Sequence, residues 1–110
     1  MKTNQLTQGK LKRVMYVENK DGDIEGVSAR IGWVTFSKTG ISVKYRGKTL
    51  RRSKGRPVNG NFFDVDTNET YWVSGIKRNG SNQHPCERIS VQVDGDAREE
   101  YQRIKSGDSV

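Results

Sequence analysis

The sequence holds one cysteine, Cys86, one histidine, His84, and two prolines in 110 residues. A lone thiol forms no internal disulfide, which agrees with a reducing, cytoplasmic setting. Zinc needs four protein ligands, or three and an open position, and neither His84 nor Cys86 has a second His or Cys to join it, so no metal is expected. As a nucleophilic pair they fare no better, because they flank Pro85 with no group to orient them. No apolar run approaches the roughly 20 residues that span a bilayer, and the opening MKTNQLTQGKLKR has no apolar leader segment. The sequon Asn68-Glu69-Thr70 is therefore read as a turn. There is no GxxxxGK[ST] phosphate loop and no GxSxG elbow, and Asp64, Asp66, Glu69, Asp94 and Asp96 fall in or beside turns where carboxylates serve the backbone. No cofactor and no catalytic residue is expected, and the chain is read as a non-enzyme.

What is present is basic and punctuated by turns. The hydrophobic fraction is 31%, but its aromatic and β-branched residues are gathered in short runs separated by Gly, Asn and Asp, unlike a disordered tract. Such a length supports one core. The expected organisation is a tail over residues 1–10, one β-rich domain over 11–105 and a tail over 106–110. Twenty Lys and Arg against thirteen Asp and Glu give a net charge of +7. They are unevenly spread: residues 1–56 hold fourteen basic and four acidic side chains, whereas 57–110 hold six and nine.

Residues 11–18 are rich in strand formers and end at the turn segment 19–23. A second, longer strand covers 28–37, with Ile31 and Trp33 on one face and Val34 and Phe36 on the other. Apolar groups on both faces, with Gly32 between them, fit a small barrel. Gly40 closes a hairpin turn, and the strand 41–46 then alternates, with Ile41, Val43 and Tyr45 opposite Ser42, Lys44 and Arg46. Arg46-Gly47 makes a tight turn into 48–52, and 53–61 is read as a mobile connection. Strands at 62–65 and 70–74 flank the turn 66–69, and a last strand covers 87–93 after a turn at 79–82. Asp96 reads as an N-cap with Glu99 as its capping-box partner, and Ala97, Tyr101 and Ile104 share one helical face over 96–105. The fold class expected is mainly β, a small antiparallel, partly open SH3-like barrel with one short C-terminal α-helix. An open sheet with the helix across one face is the alternative.

The segments RVMYVE (13–18), ARIGWVTFSKTG (29–40), YRGKT (45–49), TYWVSGIKRNG (70–80) and DAREEYQRI (96–104) resemble a group of small bacterial proteins whose biochemical role is not established. The likeness runs in order from residue 13 to 104. Some members of the group carry the name of an isoprenoid-pathway synthase. That enzyme class uses thiamine diphosphate, needs a chain several times longer and requires a GDG-initiated motif lacking here, so the resemblance implies no catalysis. Trp33 also stands where the group carries a basic residue.

One feature stands above background: Lys44, Arg46, Lys48, Arg51, Arg52, Lys54 and Arg56 follow one another with no acid between. Cations along a hairpin and its following loop can neutralise successive phosphates of RNA or DNA. The competing reading is that they solvate an exposed face and guard an edge strand. A non-catalytic module with a basic surface for nucleic acid or another polyanion is the expectation. The alternative is a protein-interaction module that receives a peptide or an acidic partner around Phe62 to Trp72 or at a sheet edge.

Overall fold

A computed structural model describes residues 11–53, 60–76 and 91–106. Among these residues are seven strands: β1 (Leu11–Asn19), β2 (Ala29–Phe36), β3 (Ser42–Tyr45), β4 (Lys48–Arg52), β5 (Phe62–Asp64), β6 (Thr70–Gly75) and β7 (Val91–Val93). A single 3-10 turn, Gly95–Ala97, leads into α1 (Arg98–Ser106). The order β1-β6-β5-β4-β3-β2 is antiparallel and closes on itself through β1 and β2. The chain is thus mainly β, a six-strand barrel with one added strand and one C-terminal helix, consistent with a small SH3-like barrel. Where a partly open barrel was expected, the ring is closed. Closure follows from the length of β1, which pairs with β2 from Leu11↔Phe36 to Glu18↔Ala29 while its other edge holds β6.

The free edge of β2 is divided. β3 takes Thr35 and Phe36, and β7 runs parallel to Ala29–Ile31. Of the expected last strand, only 91–93 lies within the described residues; the turn at 79–82 and residues 87–90 lie outside them, as do both expected tails up to residue 10 and from 107, and 54–59 of the connection.

Alternation sorts the side chains into two cores. Val17, Val34, Val43, Leu50 and Tyr71 fill the barrel, with Met15 and Phe36 at its margin. Ile24, which no strand pattern marked, joins them from a tight turn where Ile24 and Val27 bridge. The opposite faces of β1 and β2 present Val14, Tyr16, Ala29 and Ile31 outward, under Ala97, Tyr101 and Ile104. The helix therefore seals the side of the barrel. Each fully buried aliphatic contributes about 1.5–3 kcal/mol, so this second layer is a sizeable part of the stability of so small a domain.

Two local expectations are corrected. Asp96 is not the N-cap: the chain enters the 3-10 turn at Asp94, extended at φ −61° and ψ 144°, and Asp96 lies inside that turn. Ile41 does not share the buried face of Val43 and Tyr45; it precedes β3 and is 46% exposed. Arg46 and Gly47, at φ 49° and 80°, form the two-residue reversal between Tyr45 and Lys48, with the left-handed geometry of a type I′ turn.

Candidate polyanion-binding surface

The barrel's charges are unevenly shared between two halves of its strand residues. The half that holds the start of β1 and the end of β4 comprises residues 11–16, 33–44, 50–53, 60–63 and 73–76. It carries Lys12, Arg13, Lys38, Lys44, Arg51 and Arg52 and, among the described residues, no carboxylate, with buried Asp64 at its border as the register partner of Leu50. The opposite half, 17–32, 45–49 and 64–72, carries Glu18, Asp21, Asp23, Glu25, Asp64, Asp66 and Glu69. Of its four cations, Lys20, Arg30 and Arg46 are matched, and Lys48 forms no ion pair among the described residues. Lys20 lies 3.0 Å from Glu18, Arg30 lies 3.3 Å from Asp94, and Arg46 lies 2.9 Å from Glu25. None of the six cations of the first half forms an ion pair among the described residues, and all six are exposed.

On the outer surface, Lys12, Thr35, Lys44 and Thr49 stand in one cross-strand row, because Lys12 pairs with Thr35, Thr35 with Lys44 and Lys44 with Thr49. Trp33, one step along β2 from Thr35 on the same face, lines the shallow groove between them together with Arg46, Asp94 and Asp96. Its indole Nε1–H donates to the Asp96 carbonyl at 2.8 Å, which fixes the ring. The Lys12 ammonium lies 5.7 Å from the ring centroid. Arg51 projects from the same face two residues beyond Thr49, beside half-buried Phe63 in register. Arg52 points the other way, with its guanidinium 5.1 Å over the Phe62 ring at the barrel's mouth.

Not all the cations singled out in the sequence join this surface. Lys44, Arg51 and Arg52 do. Arg46, though exposed, is engaged by acids: its Nε and Nη2 donate to the two carboxylate oxygens of Glu25 at 3.0 and 2.9 Å, and its Nη1 lies 3.3 Å from Asp94 Oδ2. That double hydrogen bond holds the Glu25 carboxyl below the usual range and raises the guanidinium further. Lys48 follows the same turn, and its charge helps to depress Glu25. Lys54 and Arg56 lie outside the described residues, as do His84 and Cys86. Lys12, Arg13 and Lys38 were missed. They are far from the 44–56 run in sequence, and only the pairing of β1, β2 and β3 brings them beside it.

Sequence reasoning also passed over the cluster that holds Arg46. Asp94 is buried, and its Oδ2 accepts from the Tyr45 hydroxyl at 2.6 Å while its Oδ1 accepts from Arg30 Nη1 at 3.3 Å. Burial first, and then this bond, push the Tyr45 hydroxyl well above its ordinary pKa. The carboxylate sits in the notch on β2 between β3 and β7. Gly32 makes the notch: a Cβ there would overlap Asp94 Oδ2 and stand 2.8 Å from Tyr45 Cε1. The glycine in an otherwise apolar strand was the available signal, since such a residue marks a close approach. Asp64, by contrast, does what its turn position implied, accepting from the backbone of Asp66 and Thr67 at 2.8 and 3.3 Å.

Among the described residues no group of three His, Cys, Asp or Glu side chains is placed to hold a metal ion, and no helix is long and apolar enough to cross a membrane. No protein-family model, curated protein or solved structure matches the chain.

Proposed function

We propose that the protein is a non-catalytic binding module whose cation-rich half-barrel engages the phosphates of a nucleic acid. The observation that carries this reading is the contrast between the two halves. Arg30 and Arg46 are committed to carboxylates, whereas Lys12, Arg13, Lys38, Lys44, Arg51 and Arg52 are left to solvent on one end and side of the barrel. Solvation of a surface asks only for dispersed charges of both signs, while concentrated cations raise self-repulsion that a polyanion relieves. Contacts of this kind are sequence-independent and weaken as salt displaces the released counterions. A cytoplasmic setting, expected from the lone thiol, belongs to the same proposal. The peptide-receiving alternative has less to rest on, because closure leaves only short stretches of edge without a strand partner among the described residues, such as residues 11–14 on the β6 side of β1.

The test compares charge reversals at different places. Arg51→Glu with Arg52→Glu should weaken binding of a labelled oligonucleotide at about 50 mM salt by tenfold or more, as expected when two phosphate contacts become repulsive. Arg98→Glu with Arg103→Glu, exposed changes on α1 that shift net charge by the same amount, should leave affinity within about threefold if the patch rather than net charge decides. Equal losses in both proteins would reduce the effect to net charge. Far-UV circular dichroism confirms that each variant is folded.

A further inference from the structure

We infer, building on the phosphate-binding reading, that the surface takes single-stranded rather than duplex nucleic acid, with a base stacked on Trp33. The groove combines the two elements such binding needs, cations that follow a backbone and an aromatic face beside them; of the two carboxylates in its lining, Asp94 is already held by Tyr45, Arg30 and Arg46, and Asp96 stands by the helix entry. Trp33 is half-buried between Lys12, Thr35 and Lys44, and its indole is anchored by the bond to the Asp96 carbonyl. An anchored ring loses little freedom when a base stacks on it. The pairing of cation and aromatic recurs across the sheet, where Arg51 stands opposite Phe63.

Lys12 covers the indole face, and magnitudes decide whether it blocks the site. An exposed cation–π contact is worth about 2- to 5-fold in an equilibrium constant. A stacked base is worth about 5- to 150-fold. Lys12 has no carboxylate partner among the described residues, so a base displaces its ammonium at small cost and leaves it free to meet the adjoining phosphate. Duplex recognition lacks a comparable device. The one helix among the described residues opens on Arg98, Glu99 and Glu100 after Asp96, and the three carboxylates outnumber the one cation there and repel the walls of a DNA groove. They also direct a bound strand from Trp33 toward Lys44 and Arg51.

The chain has two tryptophans, so Trp72→Phe leaves Trp33 as the sole indole reporter. Titration of that variant with a single-stranded homopolymer oligonucleotide should quench most of its fluorescence, while a duplex of equal length binds at least fivefold more weakly and quenches little. Trp33→Leu should lose about 5- to 150-fold in single-strand affinity, and Trp33→Phe should restore most of it, separating stacking from packing against the helix. Equal binding of single strand and duplex without quenching overturns the inference and leaves the phosphate-binding surface standing. Failure of both nucleic acids to bind at low salt overturns the two together.

Discussion

Replacing Asp94 with Ala removes the acceptor that ties β7 and the helix entry to the barrel, and its cost follows from the atoms left behind. The Tyr45 hydroxyl, 2.6 Å from the carboxylate, loses its partner in a buried site, a penalty of about 1–3 kcal/mol. Breaking a buried ion pair outright costs about 3–5 kcal/mol. Here Arg30 keeps its bonds to the carbonyls of Ile24 and Glu25, and Arg46 keeps the Glu25 carboxylate, so the guanidinium charges remain partnered. The sum expected for Asp94→Ala is therefore about 3 kcal/mol, near the lower end of that range. Gly32→Ala pushes a methyl group into the same notch and should cost about 1–3 kcal/mol by overpacking. The double variant is the sharper observation, since deleting the carboxylate makes room for the methyl group. A favourable coupling of about 0.5–3 kcal/mol is expected from urea unfolding followed by tryptophan fluorescence. Strict additivity, or a loss below about 1 kcal/mol for Asp94→Ala, refutes the packing of Asp94 over Gly32 as the tie.

Three further outcomes are expected. Burial, with Glu69 and Asp64 nearby, pushes the Tyr71 hydroxyl up to about 12 from an unfolded value near 10, so folding favours its protonated form. That stabilisation is complete below pH 10 and is lost as pH rises from about 10 to 12, and Tyr71→Phe should flatten this part of a denaturation profile measured across that window. Tyr101→Ala should cost about 1.5–3 kcal/mol in urea unfolding, below the about 3–5 of a fully buried aromatic, because the ring is half-buried on the second core. Arg46→Ala should destabilise the fold yet change oligonucleotide affinity by less than about threefold, since its guanidinium is already held by Glu25 and Asp94; a loss as large as that of the Arg51 and Arg52 reversals would return Arg46 to the binding surface.

Elements β1 to β6 were legible to within a residue or two, because alternation and turn chemistry are local. Val43 and Tyr45 bury opposite Lys44, and Arg46-Gly47 reverses the chain, as spacing alone requires. Closure was not legible, since it depends on how far β1 and β2 overlap, and neither was the parallel pairing of β7. The Asp94 cluster joins residues from four separate segments, and its aspartate looks like any turn residue until Gly32 is set beside it. The candidate surface was half legible. The run 44–56 signals charge, but a run says nothing of which members a distant acid has claimed. Glu25 is 21 residues from Arg46, and only the fold places it there.

The salt dependence of oligonucleotide affinity tests the central claim most directly. If about four of the six unpaired cations meet phosphates of a single strand, log K should fall with log salt at a slope near −3, from about −0.7 per contact. Reversal of Lys12, Lys44 and Arg51 to Glu should bring that slope close to zero in a protein that still folds. A wild-type slope near zero, or no measurable binding at about 50 mM salt, contradicts the account and leaves these cations as a solvated face.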